Sequence, residues 1–156
     1  MFRGFTVIAI NIKPVPASRP RVTRWATFYS KPYQEYKDYL KCNIPNLVSI
    51  QDGVLCLKAI FYVPFPTKWD NEDFLNLYQD RFKNETLKGV RKHHKEELEG
   101  ELAVTYSDVD NLVKALLDGL NGYSFKDDMQ VAKMILEKRY SISPRTEFTV
   151  YSIKEQ

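Results

Sequence analysis

The apolar positions change period along the chain, and each change marks an element. The opening stretch FTVIAINI (Phe5–Ile12) alternates apolar with polar and is rich in β-branched residues, which predicts a strand. KPVPASRPRVTRWATFYSKP (Lys13–Pro32) follows, and its prolines cannot occupy a helix interior, so a long loop is expected. PYQEYKDYLKCNIPNL places Tyr33, Tyr36, Leu40 and Ile44 at spacings of three and four, an amphipathic helix that Pro45 stops. GVLCLKAIFYVPFP predicts a second strand closed by Pro64 and Pro66.

From Thr67 to Gly100 the chain becomes densely charged, with Phe74, Leu77, Tyr78 and Phe82 at helical intervals, and one or two helices are expected as an insert at about 67–100 in a single domain spanning 1–156. ELAVTYS then predicts a short strand or an extended entry to the helix that follows. DNLVKALLDGLNG predicts a helix with Asp110 near its N-cap and Gly122 just past its end. DDMQVAKMILEKRYS and EFTVYSI predict the last two strands. Strands and helices do not alternate regularly, which points to an α+β domain with a mixed sheet and helices packed on one face.

Composition adds limits rather than a function. The 23 Lys+Arg nearly balance the 20 Asp+Glu, for a net charge of +3, so the placement of charge matters more than its sum. No stretch approaches the roughly 20 apolar residues of a membrane-spanning helix, and the N-terminus lacks the pattern of a signal peptide. Cys42 and Cys56, without CxxC spacing, are expected as free thiols in a cytoplasmic protein.

The candidate chemistry lies in SDVDNLVKALLDGLNGYSFKDDMQV (Ser107–Val131), where carboxylates stand at both ends of one short helix. Asp108 and Asp110 flank Val109, so an extended approach to the helix turns both side chains the same way. A return loop after the helix is expected to bring back one of Asp127 and Asp128. Three carboxylates together repel one another unless a cation joins them, and Mg²⁺ prefers such hard oxygen donors together with water and phosphate. Lys114, one turn beyond Asp110, is placed to reach a phosphate or to pair with the cluster, and Asp118 extends the same stripe. A purely architectural reading stands beside this one. Asp108 and Asp110 then serve as helix caps, KDD as an ordinary turn, and Lys114 with Asp118 as an exposed pair.

The string DVDNLVKALLDGLNGYSFKDDMQV resembles the signature of RusA-type Holliday junction resolvases, D-x-D-N-L-x-K-A-x-x-D-x-L-N-G followed by D-D-x-Q-V. PVPASRPRVTR, TFYSKPYQEYK and KRYSISPRTEFTV resemble the family's early loop and its ending, so the similarity covers most of the chain. The resemblance implies a RusA-like fold and a homodimer that binds four-way DNA junctions and makes paired nicks with Mg²⁺, for which Mn²⁺ can substitute. It also carries an expectation of phage or prophage origin. It places the metal-binding aspartates on Asp108, Asp110 and Asp128 and the catalytic lysine on Lys114, with Asp127, Asp118 and Asn111 in auxiliary positions. Tyr106-Ser107 departs from the basic residue and proline that many relatives carry there, which removes one phosphate contact.

A carboxylate cluster repels DNA until metal arrives, so cations are needed elsewhere. Arg19, Arg21 and Arg24 of SRPRVTRW are the expected phosphate contacts, with Lys126 and Lys133, and then Lys138 and Arg139, extending the basic surface. Trp25, Phe28 and Tyr29 have the chemistry to stack on unpaired bases, although packing into the core is the expected role for these aromatics. The adjacent His93 and His94 sit among alternating charges and read as a solvated helix face. Two further functions remain open at this point: a nuclease for flap or other branched DNA, and a DNA-binding module without catalysis.

Overall fold

Strand LCLKAIFYV (Leu55–Val63, β4) lies at the middle of the protein, and only its Lys58 and Tyr62 escape full burial. The computed structural model describes residues 1–65 and 99–153. The predicted helical insert, His93 and His94 included, therefore lies outside the described residues, except for Glu99 and Gly100.

The elements in chain order are β1 (Ile8–Ile10), β2 (Arg21–Val22), β3 (Thr27–Phe28), α1 (Lys31–Asn43), β4, α2 (Val109–Leu120), β5 (Val131–Tyr140) and β6 (Arg145–Ser152). Four of the strands form one sheet in the order β1-β6-β4-β5. β4 runs parallel to β5 and antiparallel to β6, and β6 pairs antiparallel with β1, so the sheet is mixed as the pattern predicts. Leu55, Leu57, Ala59, Phe61 and Val63 alternate onto one face of β4, where they share a core with Tyr33, Tyr36 and Leu40 of α1 and with Leu112, Val113, Ala115, Leu116 and Leu120 of α2.

Three local expectations are corrected. The segment Lys13–Pro32 is not a plain loop: β2 and β3 form a separate two-stranded hairpin within it. Of the two readings of ELAVTYS, the strand does not form, since within it only Leu102 makes an isolated bridge, to Arg139. The strand read from Asp127 begins at Val131, because Asp128–Gln130 first form a 3-10 turn. Both cysteines are free, Cys42 exposed and Cys56 buried.

Gly119 sets how closely the two helices approach. A Cβ at this position would lie 2.2 Å from Leu40 Cδ1 and 2.8 Å from Leu40 Cβ. Leu40 is itself fully buried and has no open space to yield into. In an exposed helix Gly→Ala gains about 1 kcal/mol. Here overpacking, typically about 1–3 kcal/mol, opposes and exceeds it. Gly119→Ala is therefore predicted to lower the midpoint of chemical denaturation; an unchanged or raised midpoint would show that the helices have room to separate.

Candidate active site

The N-terminus of α2 presents carboxylates that make no side-chain hydrogen bond or ion pair among the described residues. Asp108 occupies the N-cap in an extended conformation (φ −63, ψ 140), yet its side chain makes no capping bond; only its backbone carbonyl engages, accepting from Leu112 N–H at 3.2 Å. Asp110 follows in the first turn. Both are exposed, and among the described residues neither carboxylate makes a hydrogen bond or an ion pair. The side-chain capping role considered for Asp108 is thus not the one it fills, although the positive end of the helix dipole still favours both charges. Lys114 lies one turn further on the same face, exposed and without an ion pair among the described residues.

The approach to this helix is held under strain. Tyr106 sits at φ 86, a region that costs a non-glycine residue about 1 kcal/mol or more. Two bonds secure it. Tyr106 Oη donates to the Pro14 carbonyl at 2.5 Å, and Lys138 Nζ donates to the Ser107 carbonyl at 2.8 Å. Lys138 comes from β5 and lines an open pocket with Asp108, Val109, Asp110, Leu136 and Glu137. Burial pulls its pKa down, opposed by the negative charge of Asp108. Sequence reasoning treated Lys138 as a surface cation. Its signal is the period of two in β5, which places it in register with the core residue Phe61.

The other carboxylates gather at the opposite end of α2, and each has an occupation. Asp118 is half-buried and accepts a hydrogen bond of 2.5 Å from Tyr33 Oη. The Tyr33 hydroxyl is strongly raised in pKa, by burial first and then by its bond to Asp118. Asp127 caps the 3-10 turn: its carboxylate accepts from Met129 N–H at 2.9 Å, while Gln130 Oε1 accepts from the amides of Lys126 and Asp127 at 3.0 and 3.1 Å. Asp128 is raised in pKa by burial, by its hydrogen bond to Asp127 and by the charges of Asp127 and Asp118.

The expected trio of Asp108, Asp110 and Asp128 is therefore not brought together within one chain. The eight residues from Asp110 to Asp118 span about 12 Å of helix axis. β5 runs back antiparallel to α2, so its start lies by Asp118 while Lys138 lies by Asp108. Among the described residues no group of three His, Cys, Asp or Glu side chains is placed to hold a metal ion. The pair Asp108 and Asp110 fits a hard cation that completes its shell with water and phosphate oxygens. Asn111 contributes its backbone, its carbonyl accepting from Ala17 N–H at 3.0 Å.

That bond leads the chain into the basic hairpin. Arg19, Arg21 and Arg24 are all exposed, and none forms an ion pair among the described residues. Trp25, Phe28 and Tyr29 are exposed as well, at 86%, 54% and 40%, which overturns their expected packing into the core. The other predicted cations divide. Lys126 is exposed beside the acidic turn. Lys133 pairs in register with Cys56, on the sheet face away from the helices. Arg139 is held by Glu137 at 2.7 Å and by the Gly100 carbonyl at 2.6 Å.

Comparison with known proteins identifies the family of the chain. The family model described as Endodeoxyribonuclease RusA matches residues 11–151. An uncharacterized protein, YqaN of Bacillus subtilis (strain 168), is 43% identical over 49 residues, which cover 31% of this chain and 34% of that protein. The chain thus aligns with about a third of that relative's length.

The crowded acidic turn has a measurable consequence. Folding raises the Asp128 pKa, so the folded chain tolerates the protonated carboxyl better than the charged one; this contribution to stability is complete below the ordinary value of 3.8 and is lost as pH rises through the folded-state value. Asp127→Asn removes the neighbouring charge and keeps an oxygen for the Met129 amide. It is predicted to bring the Asp128 titration, followed by carboxyl ¹³C NMR, down toward the ordinary range. An unmoved titration would contradict the stated cause.

Proposed function

The chain belongs to the RusA endodeoxyribonuclease family, and on that premise we propose that it is a Mg²⁺-dependent, structure-selective nuclease that acts as a homodimer and resolves Holliday junctions by paired, symmetric nicks. The observation that carries this reading is the start of α2, where Asp108 and Asp110 stand exposed one turn from Lys114, all three without a side-chain hydrogen bond or ion pair among the described residues. A helix that needed acidic residues only for its own stability would engage the N-cap carboxylate, as Asp127 does on the neighbouring turn.

In this reading Asp108 and Asp110 hold the ion, and Mn²⁺ serves in place of Mg²⁺. When bound, such an ion lowers the pKa of water and neutralises charge developing on the phosphate. Lys114 supplies a positive charge to the same phosphate. Lys138 keeps the Ser107 carbonyl fixed, and with it the direction in which Asp108 leaves the chain. Arg19, Arg21 and Arg24 hold the flanking backbone, and Lys126 adds charge beyond the acidic turn. Asp128 stands in the turn beside Asp118, at the far end of α2 from Asp108 and Asp110, and a second copy offers a way for the two ends to meet. DNA as substrate places the protein in the cytoplasm of a bacterial or phage-infected cell.

The test is cleavage of a labelled four-way junction in Mg²⁺, Mn²⁺ or EDTA. Paired nicks that require metal are expected, with a loss of at least about 100-fold for Asp110→Asn, as expected when charge stabilisation of this kind is removed. An equimolar mixture of Asp110→Asn and Asp128→Asn proteins is expected to recover nicking of one strand, since one intact site reassembles across two chains. No recovery in the mixture would reject the shared site. Tight junction binding without cleavage in either metal would favour the non-catalytic DNA-binding module, and stronger cleavage of flap DNA would favour the other branched substrates.

A further inference from the structure

The β2–β3 hairpin carries more than its arginines require. Its turn is tied by Thr23, whose amide and hydroxyl both donate to the Ala26 carbonyl, at 2.9 and 3.0 Å, and whose hydroxyl oxygen accepts from the Ala26 amide at 3.1 Å. The tip that this rigid turn holds out consists of Arg24 and Trp25, with the Arg24 guanidinium 5.3 Å from the centroid of the indole ring. Trp25 is 86% exposed and Val22 73%. Large apolar side chains displayed together on a fixed prong mark a contact surface.

The chemistry of the contact follows from charge. From Met1 to Gln34 the chain contains no acidic residue, and Arg19, Arg21 and Arg24 fall within this stretch. Arg21 and Phe28 are directly opposite in the ladder and line one groove of about 470 Å³ with Arg19, Thr23, Tyr29 and Ser30. A surface that alternates exposed arginines with exposed aromatics matches a nucleic acid strand, whose phosphates take the cations and whose bases take the rings. Intact duplex satisfies only the first half, because its bases are already stacked.

The hairpin is also tethered to the helix that carries the candidate site. Its entry is joined to α2 by Ala17, whose amide donates to the Asn111 carbonyl, and α1, which follows it, is joined to α2 by Tyr33 at Asp118. Ser18 and Ser30 close its base at 3.1 Å. We infer that this hairpin is a base-stacking prong: Trp25 stacks on a base left unpaired at the branch point while Arg19, Arg21 and Arg24 grip the adjoining phosphates. The inference rests on the branched-DNA reading above and gives that reading a means of telling a junction from a duplex.

Binding is measured in EDTA, so that nothing is cut, with 2-aminopurine placed either at the branch point of a four-way junction or in the middle of a linear duplex. Wild-type protein is expected to change the branch-point signal. Trp25→Ala is expected to abolish that change and weaken junction binding about ten-fold, the order of one lost base–aromatic stack, with a much smaller effect on duplex. Trp25→Tyr should restore most of the loss, whereas Arg21→Ala with Arg24→Ala should weaken junction and duplex alike. Junction affinity unaltered by Trp25→Ala, or a loss shared equally by junction and duplex, would overturn the prong while leaving the nuclease reading intact. Wild-type protein that binds the junction no more tightly than the duplex would overturn both.

Discussion

The structure depends on how tightly α2 is held. Leu112, Val113, Ala115, Leu116 and Leu120 bury one side of this helix against α1 and the sheet, each full burial of a large side chain being worth about 1.5–3 kcal/mol. Gly119 allows Leu40 to touch the helix backbone, so α2 can neither roll nor slide without opening a void or a clash. With the apolar stripe fixed, the remaining side is fixed as well. Asp110 and Lys114 face outward, and the helix start points toward Lys138 on β5.

The same constraint divides the carboxylates. A helix whose two ends carry acidic residues separates them by its own length, and β5 runs back along it rather than folding its first turn over the N-terminus. Asp118, Asp127 and Asp128 become a crowded, mutually repelling group engaged by Tyr33 and by backbone amides, while among the described residues Asp108 and Asp110 make no side-chain hydrogen bond or ion pair and Asp108 acts only through its charge on Lys138. These are different physical situations. Bonded carboxylates support the fold, and unbonded ones at a positive helix end are available to a ligand. The segment leading into the hairpin is tied to α2 at Asn111 and α1, which follows the hairpin, is tied to α2 at Asp118, so the cationic surface and the exposed carboxylates are arranged around one element.

Much of this was legible in the chain. The β-branched run of β4, the three-and-four spacing of α1 and the apolar stripe of α2 each predicted its element, and the string from Asp108 to Val131 pointed to the family through its residue types and spacing. The hairpin was not legible, because TRWA lacks the glycine or asparagine that marks a tight turn and the nearby prolines suggested a loop. Trp25 was expected inside for its size alone, and no local pattern reveals that a large ring is left in water. The convergence of Asp128 with Asp108 and Asp110 depended on the path of the chain after Gly122. Spacing along the sequence does not determine that path. The part of Lys138 became visible only once the register of β5 against β4 was known.

In the proposed function the metal is received by the exposed carboxylates at the start of α2, completed by Asp128 of a second copy, and is not held by the crowded turn of one chain alone. Paramagnetic broadening by Mn²⁺ in amide NMR spectra of the junction-bound protein tests this most directly. The account predicts that signals from Asp108 to Leu112, together with Lys138, broaden at the lowest Mn²⁺ concentrations, and that Asp110→Asn removes the effect. Broadening confined to Asp127–Gln130 and unchanged by Asp110→Asn would contradict it.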